Sequence, residues 1–224
     1  MCIRDRITPW SELTDASRAF YASQGFTFGF DERISRLDVA AVDPNLMQSW
    51  IDQAAERAGG YHLERWIDRC PDHLIEAYVA AKDGMNEAPL DDLVLERRQH
   101  SAERTRASEQ LHIDMAEQTR VIMAVETATG QGAAYTSSHV LAHRRSHSWQ
   151  GDTTTLMAHR NRGIGRWIKA AMWQWLRDDC SDVAYLDTGN ADSNEAMLAI
   201  NVAMGFEPQY HWGAWQKPDA ASSP

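Results

Sequence analysis

The residues best suited to chemistry lie in one short stretch, residues 159–165, with the sequence HRNRGIG. It places Arg160 and Arg162 beside Gly163 and Gly165, directly before a segment with the apolar spacing of a helix. Glycines leave the unpaired N–H groups of a first helical turn open to a ligand, and both the helix dipole and the arginines favour an anion there. The stretch therefore predicts a turn that binds a phosphate or a diphosphate.

Glycine-rich turns before helices occur in several kinds of nucleotide-binding site, and the spacing of the glycines distinguishes one kind from another. The dinucleotide pattern GxGxxG fails because Ile168 stands three residues after Gly165, and the phosphate-binding loop GxxxxGK[ST] is absent from the sequence. The pattern present is Arg-x-x-Gly-x-Gly. Taken alone, it leaves open a simpler interpretation, in which the glycines only allow tight packing at an arginine-rich helix start.

The helix that follows this stretch is amphipathic. Its apolar residues recur at the spacing of one helical face, namely Ile164, Trp167, Ile168, Ala171, Met172, Trp175 and Leu176. Residues 151–158 read as a strand just before it, and residues 119–142 as a hairpin that turns at residues 129–132. We therefore expect the helix to pack on a sheet, with its first turn at the end of a strand.

A second strand and a second helix follow in the same order. Residues 183–188 form a predicted strand, and a loop rich in Asn and Asp leads into a helix capped near Asp192, with Glu195 in capping-box register and Gly205 at its end. The complete order is strand, Arg-x-x-Gly-x-Gly helix, strand, Asn-containing helix and Gly-Phe. This order is a more specific indication of a protein family than either strand–helix pair alone.

This order resembles the GNAT superfamily of acyl-CoA N-acyltransferases, and within it the tandem-domain bacterial members of the mycothiol-synthase type. The resemblance implies an α/β fold with a mixed, twisted sheet, in which two parallel strands separate to admit the pantetheine arm of acetyl-CoA. Backbone amides near Leu156 and Met157 would then polarise the thioester carbonyl. The cofactor-binding residues that it implies are Leu156, Met157, Arg160, Asn161, Arg162, Gly163, Ile164, Gly165, Asn190 and Asn194.

The resemblance further implies direct transfer of an acetyl group to a primary amine, without a covalent enzyme intermediate. Where many members carry a Tyr as general acid this chain has Asn201, whose amide donates hydrogen bonds but does not give up a proton. As a catalytic candidate, Asn201 would either stabilise the departing thiolate or leave the proton to be carried by water. Asp152 and Glu126 lie on predicted central strands and are candidate general bases, although both also fit structural roles. Asn86 and Glu87 are candidate substrate contacts or ordinary turn residues.

The two ends of the chain carry related segments. The sequences AFYASQGF, residues 19–26, and AINVAMGF, residues 199–206, each close a predicted helix and open a strand. We expect residues 1–6 to be a non-native scar, 7–40 the remnant of a first GNAT domain, 41–59 a helical linker, 60–217 a complete GNAT domain and 218–224 a disordered tail. A missing N-terminal half would leave apolar surface uncovered, which predicts self-association.

Composition excludes several other classes of protein. The formal charge of −10 on 224 residues argues against nucleic-acid or membrane binding, and the charged run at residues 96–117 reads as a solvated helix. Three scattered cysteines suggest neither disulfides nor a thiolate site. We expect no metal site, because the regularly spaced His139, His143 and His147 lie where a strand meets a loop. The absence of a signal-like or spanning segment predicts a cytoplasmic protein.

Two other functions remain open at this point. The chain is also compatible with a catalytically inactive domain that binds acyl-CoA for regulation, as one half of a tandem protein. A nucleotide-binding module with the same glycine turn belongs to a different class again. A turnover assay distinguishes the inactive acyl-CoA-binding domain from an enzyme. Competition between coenzyme A and ATP distinguishes the nucleotide-binding module from both.

Overall fold

The structure, a computed structural model, describes residues 6–218, so the expectations for residues 1–6 and 218–224 lie outside it except at Arg6 and Pro218, which belong to paired strands. The strands are β1 (Arg6–Ile7), β2 (Trp10–Glu12), β3 (Thr27–Asp38), β4 (Tyr61–Ile67), β5 (Glu117–Glu126), β6 (Gly132–Leu141), β7 (His147–Thr155), β8 (Tyr185–Ala191) and β9 (Glu207–Pro218). The α-helices are α1 (Asp15–Ser23), α2 (Pro44–Arg57), α3 (Ile75–Lys82), α4 (Ala102–Asp114), α5 (Ile164–Asp179) and α6 (Glu195–Met204).

The strands form one mixed sheet in the order β1-β9-β3-β8-β7-β6-β5-β4, with β2 also pairing with β9. The neighbours along this order are antiparallel except β7 and β8, which are parallel. The predicted α/β fold with a mixed sheet is therefore confirmed. Among the described residues no helix is long and apolar enough to cross a membrane.

Helices cover both faces at the centre of the sheet, so β5 and β6 are buried on both sides. In β5, Val121 and Met123 pack with α3 on one face, while Ile122 and Ala124 pack with α2 and α5 on the other. This alternation follows from the two-residue period of a strand. The larger core lies under α5, whose predicted apolar stripe is buried there except for Trp167 and Ala171, which are partly buried.

The strand β3, from the predicted N-terminal segment, lies inside the sheet. It pairs with β8 along one edge, from Glu32 opposite Ala191 to Asp38 opposite Tyr185, and with β9 along the other. The helix α2 that follows β3 packs on α5. Residues 7–40 therefore help to build the same sheet as residues 60–217, and the assignment of these ranges to two related domains stays a prediction.

The two related segments of the sequence end their helices in the same way. Gly25 and Gly205 both have left-handed backbone conformations, with φ of 76° and 101°. The next residue donates its N–H back to the helix in each case, from Phe26 to the Tyr21 carbonyl and from Phe206 to the Asn201 carbonyl, both at 3.0 Å. This is the Schellman pattern, which requires a residue that tolerates positive φ.

Several predicted boundaries differ in the structure. The charged run becomes helical only from Ala102, where Ser101 accepts the Arg104 N–H, and Glu117 already belongs to β5. Asn194 caps α6 instead of Asp192, since its side chain accepts the Met197 N–H at 3.3 Å. Asp192 is instead paired with the guanidinium of Arg33.

Candidate acyl-CoA site

The parallel strands β7 and β8 pair over only four residues each and then separate. The last pair is Gln150 with Thr188. Beyond it, β7 continues along β6 as far as Thr155, while β8 continues along β3 as far as Ala191. The separation leaves a slot between the two strands, as the resemblance implies.

Backbone register identifies which groups of β7 face this slot. The N–H of Leu156 donates to the Ala133 carbonyl at 2.9 Å, so these two residues are a hydrogen-bonded pair. Hydrogen-bonded and non-hydrogen-bonded pairs alternate along antiparallel strands, so the backbone groups of Thr155 and Thr153 point away from β6, into the slot.

The expectation that the Leu156 amide faces a thioester carbonyl differs from this geometry, because that amide is already engaged with β6. Met157 follows in a short 3-10 turn, Met157–His159, and its side chain is exposed. The sequence could not distinguish these amides from those of Thr153 and Thr155, since the distinction depends on the pairing register with β6.

The predicted anion turn stands at the end of the slot. Gly163 has a left-handed conformation with φ of 79°, and it precedes α5 without any side-chain cap. A Cβ at Gly163 would meet no atom within 4 Å, so the turn is open. Asn161 is also left-handed, with φ of 63°, and Gly165 lies next to the Thr155 hydroxyl. The first N–H groups of α5 are thereby presented to an incoming anion.

The arginines of this stretch and Arg166, which follows it in α5, have different neighbours. Arg160 donates from Nε to the Thr155 carbonyl at 3.0 Å and from Nη2 to the Glu87 carboxylate at 2.6 Å. Arg162 and Arg166 lie over the rings of Tyr61 and Trp50, respectively. Of the three arginines, Arg160 is therefore the one placed at the mouth of the slot.

The predicted asparagines lie on the opposite wall of the slot, on β8 and α6. The Asn201 amide donates to Asn190 at 2.7 Å, and its carbonyl oxygen is buried without a hydrogen-bond partner among the described residues. Asn201 is only 1% exposed, so in this structure it contacts the slot through Asn190. Asn194 is used as the cap of α6.

A cleft of about 1190 Å³ opens on the face of the sheet that carries α3 and α4. Gly151 and Asp152 line it, and the register shift opposite Ser137 shows that they form a bulge in β7. Asp152 accepts a hydrogen bond from the buried Tyr135 hydroxyl at 2.7 Å. Because Thr153 follows directly and faces the slot, the cleft and the slot meet at this bulge.

The other predicted polar residues lie outside this meeting point. Glu126 accepts a hydrogen bond from Thr129 in the hairpin turn and does not line the cleft. Asn86 exchanges two hydrogen bonds with the backbone of Arg98, at 2.8 and 3.1 Å, and so holds the segment that forms one wall of the cleft. Glu87 pairs with Arg160, and its role as a substrate contact stays a prediction.

Other ionisable residues lie in the cleft or pack directly behind its lining. Burial lowers the pKa of Lys82, which lies against the Tyr78 ring, and burial raises the pKa of Tyr135 well above its usual value. His112, Glu117 and His139 form a further cluster. These residues come from separate helices and strands, so no local spacing in the sequence indicates that they lie together.

A buried lysine lies below the slot on the opposite face of the sheet. Lys169 of α5 is 1% exposed and donates to Gln150 at 2.6 Å. Gln150 donates to Thr136, whose hydroxyl shares a hydrogen bond with that of Thr153. Burial lowers the pKa of Lys169 to about 7. The chain of contacts thus fixes the strand residues from which the slot is built.

Solved structures of GNAT proteins share this architecture. A tandem GNAT protein from the clavulanic acid biosynthesis pathway matches with a TM-score of 0.71 and 22% identity, over 96% of this chain and 64% of its own. A GCN5-related N-acetyltransferase from Sphaerobacter thermophilus matches with a TM-score of 0.64 and 12% identity, over 95% and 59% of the two chains.

A further match is the glucosamine N-acetyltransferase region of a fungal multi-domain GH3 beta-N-acetylglucosaminidase, with a TM-score of 0.60 and 12% identity over 92% of this chain and 24% of that one. The chain thus spans less than two thirds of the length of these proteins. No family model and no curated protein matches the sequence. The likeness in structure shows that this chain has the fold of the GNAT N-acetyltransferases.

Proposed function

We propose that the protein is an N-acetyltransferase that uses acetyl-CoA to acetylate a primary amine. The observation that carries the proposal is that three features adjoin the end of β7: the slot between β7 and β8, the open turn at Gly163, and the cleft behind the bulge. A long cofactor with an anionic end requires the first two features, and a second substrate requires the third.

The residues present fit such a cofactor. The diphosphate would lie on the first N–H groups of α5, beside Arg160, and the pantetheine arm would pair with the backbone of β7 that faces the slot. Like an added strand, the arm satisfies backbone groups that have no strand neighbour. A nucleotide without a pantetheine arm would leave this edge of β7 unpaired.

The reaction would take place at the bulge. When bound, the cofactor would supply the acetyl group as a thioester. Direct attack by the amine would form the amide bond and break the C–S bond, and coenzyme A would leave as a thiolate that takes up a proton from water. The Thr153 N–H, which faces the slot, is placed to donate to the carbonyl oxygen as negative charge develops there. Asp152 lines the cleft one residue earlier and would accept the proton that the ammonium group must lose. Asn201 would hold Asn190 in place and would not act as an acid.

A thiol-release assay with a panel of small primary amines tests this proposal. We expect free coenzyme A to form only when acetyl-CoA and a suitable amine are both present. Coenzyme A should also displace a bound analogue far better than ATP does. Binding of coenzyme A without turnover on any amine would indicate a regulatory binding domain, and better competition by ATP would indicate a nucleotide module.

The expected association with a second half or a second copy stays a prediction. Trp10 of β2, Phe20 of α1 and Trp212 of β9 are exposed apolar side chains. Surface of this kind favours association. Sedimentation over a range of protein concentrations checks it, and a single monomeric species at all concentrations would count against it.

A further inference from the structure

A cluster of three potential metal ligands lies in the cleft, outside the residues assigned to acetyl transfer. His112 belongs to α4, Glu117 to the start of β5 and His139 to β6. The ligand atoms of these residues all lie within 4.8 Å of one another. Glu117 Oε1 is 2.7 Å from His139 Nδ1 and 3.1 Å from His112 Nδ1. One carboxylate oxygen and two imidazole nitrogens thus converge from three separate elements.

The contacts within the cluster do not satisfy all of its members. His112 Nδ1 is buried and has no hydrogen-bond partner among the described residues, although it lies next to Glu117. Buried polar atoms without a partner are uncommon in folded proteins, and each calls for an explanation such as an ion. A cation between the three atoms would use the lone pair of His112 that the protein leaves unused.

The surroundings resemble those of ligating histidines. His139 Nε2 lies 3.2 Å from the Ser137 hydroxyl, a contact of the kind that fixes the ring orientation of a metal ligand. A Cβ at Gly151 would lie only 2.9 Å from this same Nε2, so the cluster borders the bulge. Both histidines and Glu117 line the cleft, so solvent or a substrate atom can reach a fourth position.

We propose that His112, Glu117 and His139 bind one divalent metal ion of the zinc class, with an open coordination position towards the cleft. Two imidazoles and one carboxylate are ligands that Zn²⁺ accepts, and three protein ligands with one free position are typical of sites that hold a water molecule or a substrate. The proposed site does not rest on acetyl transfer, because it uses no residue of the slot or of the turn at Gly163.

Titration of chelator-treated full-length protein tests this site, with Zn²⁺ followed by calorimetry and Co²⁺ by visible absorption. We expect saturation at one ion per chain and the absorption bands of low-coordinate Co²⁺. His112→Gln and His139→Gln should each weaken Zn²⁺ binding by about tenfold or more, since loss of an outer partner alone costs ~10- to 100-fold. Glu117→Gln should weaken it as well, because it removes the only negative charge of the set.

His147→Gln is the matched control. His147 lines the same cleft, but its Nδ1 bonds to the Ser146 hydroxyl and it lies outside the cluster. We expect this variant to bind Zn²⁺ like the unaltered protein. Absence of saturable binding to the unaltered protein, or an equal loss in the His147 variant, would overturn the proposal.

Two further measurements keep the result clear. The folding of the metal-free variants is first checked by circular dichroism. If His139→Gln fails to fold, His112→Gln still tests the site, because His112 is partly exposed and lies on a helix, outside the strands. Coenzyme A binding is then measured on the same variants. Loss of Zn²⁺ binding with retained coenzyme A binding supports the metal site by itself, whereas failure of coenzyme A to bind the unaltered protein affects only the proposed acetyl transfer.

Discussion

The guanidinium of Arg160 donates a hydrogen bond to the carboxylate of Glu87 at 2.6 Å. The contact joins the predicted cofactor turn to a residue predicted to touch substrate. Arg160 also holds the Thr155 carbonyl, which faces the slot. An anion that binds at the turn must therefore compete with Glu87 for this arginine.

We predict that Glu87→Gln strengthens coenzyme A binding. Both side chains of the pair are partly exposed, at 43% and 30%, so its contribution is at most about 1 kcal/mol, which corresponds to up to about fivefold in affinity. Calorimetry measures the change. Glu96→Gln, an exposed residue with the same change of charge, should have a smaller effect. Weaker binding in the Glu87 variant would show that this carboxylate supports the cofactor site.

The positions of Asp152 and Glu126 distinguish between these two candidate general bases. Asp152→Asn should lower the rate of acetyl transfer by about a hundredfold or more, with coenzyme A affinity retained, because Asp152 lines the cleft at the bulge. Glu126→Gln should leave the rate nearly unchanged, since Glu126 only serves the hairpin turn. Steady-state kinetics with one reactive amine checks both variants. Equal losses in the two would contradict the assignment of Asp152.

Lys169 should make the protein more stable as the pH rises above neutrality. Burial lowers its pKa to about 7, so above that pH the unfolded chain holds a proton that the folded chain lacks. Burial of Lys169 costs folding free energy, and this cost is fully present below a pH of about 7. As the pH rises further the cost decreases by at most about 1.4 kcal/mol per pH unit, until the lysine of the unfolded chain also loses its proton.

Lys169→Met removes this dependence. We expect the difference in unfolding free energy between pH 9 and pH 7 to shrink in the variant, as measured by denaturant titration at both pH values. Loss of the hydrogen bond to Gln150 lowers the unfolding free energy equally at pH 7 and pH 9, so the difference between the two pH values is unaffected. An unchanged difference would mean that Lys169 is charged in the folded protein.

The parts of the structure that were predicted from the sequence depend on local patterns. The apolar stripe of α5, the left-handed Gly205 and the glycine turn are each set by residues close together in the chain, and all three are found. The insertion of β3 between β8 and β9 depends on pairing between distant segments, and the two-residue period of a strand does not indicate which other strands will lie beside it.

Dependence on distant segments also explains which contacts of the candidate site could not be predicted from the sequence. The occupied amide of Leu156 follows from its register with β6, and the pairing of Arg160 with Glu87 joins residues far apart in sequence. The cluster of His112, Glu117 and His139 likewise needs three elements to converge. The regular spacing of His139, His143 and His147 drew attention to His139, but the partners it finds are elsewhere.

The most direct test of the account is titration of coenzyme A into the unaltered protein, Gly163→Asn and Gly163→Asp. Asn and Asp have nearly the same shape and both tolerate the left-handed backbone at this position, and a Cβ there would meet no atom within 4 Å. We predict that the unaltered protein and the Asn variant bind coenzyme A, while the carboxylate of the Asp variant repels the diphosphate and weakens binding by about tenfold or more. Equal affinities of the Asn and Asp variants, or no binding to the unaltered protein, would contradict the proposal that this turn holds the cofactor.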